Sequence, residues 1–159
     1  MEDHAAHAHQ HHGHGAGKPV GRWRLAAQAT RHCLIGCVIG EVIGLAIGVE
    51  AGLSTTATII LATTLAYISG FTLGLLPVMK GRGLSLVDAF KLIWIGEAVS
   101  IGVMELVMNV VDYQMGGMAA MTVLSWQFVR GLLFAIPAGF IAAWPVNYWL
   151  LGRELKACH

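Results

Sequence analysis

The chain has 159 residues and a net charge of +1; 56% of its residues are hydrophobic and only 12% charged, against roughly 25% charged in an average soluble domain. With a mean hydropathy of +0.66, this composition excludes an ordinary soluble domain and points to an all-α, polytopic membrane protein whose solvent is the lipid bilayer. Three cysteines, Cys33, Cys37 and Cys158, make no disulfide framework, and no nucleic-acid partner is expected.

Residues 1–19, MEDHAAHAHQHHGHGAGKP, carry His4, His7, His9, His11, His12 and His14 among Gly and Ala. No core can form from such a segment, so the reading is a disordered tail ahead of a membrane domain over 20–159. Clustered imidazoles capture transition metal ions without a fold. The plainer alternative is a solubilising tail. A start this polar leads us to expect no cleavable signal peptide. Arg22, Trp23, Arg24 and Arg31 follow, an aromatic and cationic anchor of the kind found at headgroup depth.

A hydrocarbon core about 30 Å thick needs about 20 helical residues. Four segments qualify, at 32–51, 56–79, 89–111 and 122–151. Pro77, Pro137 and Pro145 are expected to kink or end helices. Lys and Arg lie before the first segment, between the second and third, and after the fourth. The other two loops, with Glu50 and Asp112, have none. The positive-inside rule then puts both termini in the cytoplasm.

The first segment carries two ladders of period four. One is Gly36, Gly40, Gly44, Gly48 and Gly52; the other is Cys33, Cys37 and Glu41. A step of four advances about 400° on a helix, so each ladder is a slowly drifting stripe. Glycine stripes admit a second helix at close range. A carboxyl in an apolar span is a functional-site hypothesis by default. Ile39-Gly40-Glu41 recurs as Ile95-Gly96-Glu97, and Gly70-Phe71 with Pro77-Val78 recurs as Gly139-Phe140 with Pro145-Val146. These echoes suggest a duplicated helical hairpin, two plus two, with Glu41 and Glu97 at one depth.

Thiolates and thioethers are soft ligands suited to Cu(I), and thiolates also to Zn. Cys33 and Cys37 can meet one ion from a single helix. Glu41, Glu97, Met104 and Met108 extend the candidate metal set. His32 belongs to it by proximity alone, since it points roughly 140° from Cys37. Met115, Met118 and Met121 continue the methionines past the third span. Each sulfur also has a plain packing role available. Glu105 and Arg130 lie at similar expected depth, and an ion pair between them would hold both in the membrane.

The histidine-rich head, His-Cys-Leu-x-Gly-Cys-x-x-Gly-Glu at 32–41 and Pro-Val-Asn-Tyr-Trp-Leu at 145–150 together resemble a bacterial family of small four-helix membrane proteins classed as a domain of unknown function. The resemblance covers most of 31–156. It implies the four-span architecture and a bacterial inner membrane, and it brings no activity.

Two functions compete. The first is binding or transport of a soft transition metal ion, copper or zinc. The second is a non-transporting accessory subunit that meets a larger assembly through its glycine faces. Four short helices enclose little volume, so a transport pathway would call for a homo-oligomer. No nucleophile–base arrangement is present, so an enzyme is not expected. His32 alone lies near the spans apart from the tail and His159, so no haem is expected either.

Overall fold

The computed structural model describes residues 21–153. The six tail histidines, His4 to His14, and the C-terminal Cys158 and His159 lie outside the described residues. Four long helices follow one another: α1 (Arg22–Glu50), α2 (Thr55–Arg82), α3 (Leu86–Met115) and α4 (Trp126–Gly152). A single 3-10 turn, Gly117–Ala119, sits between the last two. No strand occurs among the described residues.

Serines start three of the helices. The Ser54, Ser85 and Ser125 hydroxyls accept from the backbone N–H three residues on, at 3.3, 3.2 and 3.2 Å. This satisfies donors that a helix start leaves open. Left-handed glycines stop three: Gly52 just beyond α1 (φ 62°), Gly83 after α2 (φ 61°) and Gly116 after α3 (φ 77°). Only glycine adopts that conformation without a Cβ penalty.

α1 begins ten residues earlier than the apolar run suggests. Its first turns are held by side chains of α4. Tyr148 stacks on Trp23 at 4.1 Å and accepts a hydrogen bond from Arg22 at 2.6 Å. The Trp144 indole donates to the Trp23 carbonyl at 3.1 Å. The three prolines, expected to kink or end helices, end none of them. At Pro77 the reason is visible. Proline has no N–H for the carbonyl four residues back, which is that of Leu73. The His32 Nε2 takes its place at 3.1 Å.

α1 packs chiefly on α2, and α3 chiefly on α4. α1 also touches α4, and α2 touches α3. On the diagonals α1 meets α3, while α2 and α4 do not meet. α1 and α3 are thus the inner pair. The glycine ladder of α1 explains the closest contact. A Cβ on Gly36 would lie 2.8 Å from the Gly70 Cα, and on Gly40, Gly44 or Gly48 it would strike Leu65, Ala62 or Thr58 of α2.

Polarity is distributed inside out. Glu41, Glu97, Ser100, Glu105, Asn109, Asp112 and Asn147 are buried, while Ile35, Ile39, Ile43 and Ile47 along α1 and Ile60, Leu106 and Ile141 elsewhere are exposed. A soluble fold buries its apolar side chains; this exterior suits hydrocarbon. α1, α2 and α4 are long and apolar enough to cross a membrane. Three long apolar helices with an apolar exterior are the build of a membrane protein.

Candidate functional site: a buried seam of sulfur and carboxyl groups

The contact between α1 and α3 is a seam with chemistry along its length. α1 contributes Cys33, Cys37 and Glu41 because a step of four keeps them on the face that α3 covers. α3 contributes Ser100, Met104, Glu105, Met108, Asn109 and Asp112. All of these are buried, with Cys37, Glu41, Met104 and Met108 at 0% exposure.

At the middle of the seam Cys33, Cys37, Met104 and Met108 belong to one packed cluster with Ala66, Ile101, Ala135 and Ala143. The two thiols are one helical turn apart, and the Ser100 hydroxyl donates to the Cys33 sulfur at 3.8 Å. Glycines on the outer helices make room for the sulfurs. A Cβ on Gly70 would come within 3.3 Å of the Cys37 sulfur, and one on Gly139 within 2.7 Å of the Met108 sulfur. The four soft side chains named from the sequence are therefore brought together.

Toward the Glu50 end the seam turns from sulfur to oxygen. Glu41 lies within electrostatic reach of Asp112 and Glu105. None of the six oxygens of Glu41, Glu105 and Asp112 has a hydrogen-bond partner, and neither does Asn109 Oδ1. The Met118 backbone N–H is directed at the Asp112 carboxyl without closing a bond of good geometry. A carboxyl walled off from water is neutralised by a proton or balanced by a cation. This layer therefore has capacity for either.

Other expected partners fall elsewhere. The Ser100–Cys33 contact sets residue 100 of α3 against residue 33 of α1. Glu97 is then about 11 residues, about 16 Å, from the level of Glu41, and it lies beside Gly74 of α2. The two glutamates do not face each other at one depth. His32 is exposed and occupied by the Leu73 carbonyl, away from the thiols. The ion pair expected between Arg130 and Glu105 does not form. Arg130 donates to the Met115 carbonyl at 2.7 Å. Met115 is the last residue of α3, ten residues, about 15 Å, beyond Glu105. No group of three or more His, Cys, Asp and Glu side chains at metal-holding separation occurs among the described residues. An apolar groove lined by Leu34, Leu133, Ile136, Pro137, Phe140 and Ile141 lies between α1 and α4, and none of its lining residues is a candidate ligand.

Residues 22–156 match the family model described as a domain of unknown function, DUF4396. The chain belongs to that family. No curated protein matches it, and no solved structure does. The DUF4396 match takes in the whole seam and also the Pro-Val-Asn-Tyr-Trp-Leu segment, which the sequence offered only as part of a resemblance. In the structure Asn147 of that segment donates to the buried Thr30 hydroxyl at 2.7 Å, joining α4 to α1. Asn109 was also missed. It stands one helical turn after Glu105 on the same stripe, which was the available signal.

Proposed function

We propose that this DUF4396 protein crosses a bacterial inner membrane four times, with both termini in the cytoplasm, and binds or carries across a soft transition metal ion. What supports the reading above all is that Cys33, Cys37, Met104 and Met108 belong to one buried cluster drawn from α1 and α3. Two thiols and two thioethers suit Cu(I). Zinc prefers four ligands of nitrogen, sulfur or oxygen in a tetrahedron, and such a set is not assembled among the described residues. Copper is therefore the favoured ion. Glu41, Glu105 and Asp112 then act as the carboxyl layer through which charge is balanced as the ion enters or leaves. Glu97 has no direct share in the sulfur site. The tail histidines collect the ion in the cytoplasm.

α3 makes the fourth crossing because its polar residues turn inward against α1. The hairpin duplication gains support from burial. Cys33, Cys37, Gly40, Glu41, Gly44 and Leu45 of α1 are buried, and so are Ala89, Ile93, Gly96, Glu97, Ser100 and Ile101, each 56 positions later. The accessory-subunit reading relied on glycine faces open to a partner. Gly36, Gly40, Gly44 and Gly48 are instead covered by α2 within the chain.

The deciding experiment measures Cu(I) and Zn(II) affinity of the protein in detergent, with residues 1–17 removed, beside its Cys33→Ser, Cys37→Ser variant. Stoichiometric Cu(I) binding that the double variant loses by at least a hundredfold is the expected result. Equal affinity in the two proteins would overturn the metal reading.

A further inference from the structure

The 3-10 turn Gly117–Ala119 lies across one end of the seam. It touches all four helices. Met118 is the side chain it inserts. That side chain is 7% exposed and packs with Leu45 and Val49 of α1, Ala62 of α2 and Phe128 of α4. Directly beneath, the Asp112 carboxyl is so close to Gly117 and Gly131 that a Cβ on either would strike it. Asp112 is the last carboxyl of the seam before this end, and the turn is what separates it from the exterior.

The start of the turn is the left-handed Gly116 (φ 77°), a point at which the backbone changes direction. Beyond the turn, Met121 and Leu124 are 93% and 89% exposed. Between them lies a hydrogen-bonded tie to α1. The Glu50 carboxylate accepts from the Thr122 hydroxyl at 2.9 Å and from the Val123 N–H at 3.0 Å. Hydrogen bonds to a charged acceptor are the stronger kind. Glu50 is also the last residue of α1, the helix that bears the cysteines and Glu41.

We infer that the Gly117–Ala119 turn is a plug. Met118 closes the Glu50 end of the α1–α3 seam, Glu50 latches the plug shut through Thr122 and Val123, and its lifting about Gly116 opens Asp112 to water. The inference concerns access to the seam and holds whether or not the seam carries a metal. The latch lies on α1, so an ion that displaced α1 would bear on the plug directly.

The test uses the full chain in lipid nanodiscs. Asp112→Cys serves as the reporter, with Cys158→Ala, and is labelled by a membrane-impermeant maleimide with and without Glu50→Ala, which removes the acceptor oxygen. Loss of the latch is expected to raise the labelling rate at least tenfold. A rate unchanged by Glu50→Ala would overturn the plug, as would fast labelling with Glu50 in place. Should the reporter fail to fold, amide hydrogen exchange on Glu50→Ala alone carries the test. Faster exchange confined to 116–123 supports the latch. Equal loosening of the last turn of α1 would show that Glu50 merely ends its helix, and so would unchanged exchange. A failed metal assay with a positive labelling result would remove the cargo and leave the gate.

Discussion

His32 sits beside a cysteine in a chain rich in histidine, and its role is the repair of a proline. Pro77 strips the Leu73 carbonyl of its helical donor, and the imidazole supplies another from α1. His32→Ala is therefore expected to lower stability by about 0.5–1.5 kcal/mol, the net worth of such a bond. In a Pro77→Ala background the loss should shrink toward zero, because the new backbone N–H closes on Leu73. A thermal-unfolding double-mutant cycle reads this coupling. An equal loss in both backgrounds would refute the pairing. Cu(I) affinity should not change with His32→Ala. The sequence shows both residues, but their pairing depends on which turns of α1 and α2 lie side by side. Spacing along one helix carries no such information. Cys33, Cys37, Met104 and Met108 were legible for the opposite reason, since each pair is four apart on its own helix and faces inward by periodicity alone.

At the scale of the helices, the glycine ladder was readable and its partner was not. From Gly36 to Gly48 every fourth residue of α1 is glycine, which announces a close neighbour; that α2 is the neighbour follows from Gly70, Ala62 and Thr58 meeting it in step. Gly40→Ala should destabilise the protein by about 1–3 kcal/mol, the range for overpacking, because its Cβ would strike the Leu65 backbone carbonyl, which cannot turn aside as a side chain can. Gly81→Ala has nothing within 4 Å and should leave the melting temperature unchanged or slightly raised. Equal melting temperatures for the two variants would show that α1 and α2 are not in close contact. The repeat motifs place Glu97 level with Glu41, yet α3 lies about three turns away from that register. Eleven residues make almost a whole number of turns, so the same side chains stay buried after the slide. Periodicity therefore reads the face correctly and cannot read the height. The Arg130–Glu105 pair failed on height as well.

For the whole molecule, the proposed four-crossing topology predicts opposite sidedness for the α2–α3 and α3–α4 connections. In membrane vesicles of known orientation, Gly81→Cys and Leu124→Cys should react with an impermeant thiol reagent from opposite faces. Reaction from one face would mean that α3 does not cross. The inside-out distribution of polarity was foreshadowed by composition, since so hydrophobic a chain has no other place for its carboxyls than the interior. Which helices would share that interior was not, because α1 presents an edge of isoleucines to the outside and is a candidate span while α3 is not, yet the two form the inner pair.

That pairing bears on how the chain is made. α1 and α2 close on each other through glycine, with the Ser69 hydroxyl donating to the Gly36 carbonyl at 2.7 Å, so the first hairpin has a partnered interface as soon as it is synthesised. Of the polar groups of α3, Asp112 meets Gly131 of its own hairpin, but the Glu97 and Glu105 carboxyls face the first hairpin, beside Gly74 of α2 and Glu41 of α1, and Asn109 donates to Thr63 of α2. The second hairpin must then leave the insertion machinery against a first one already in place. Swapping the order of the two hairpins in a circular permutant would present those carboxyls to lipid with nothing to receive them, and the quality-control proteases of the membrane would meet the chain before the fold did.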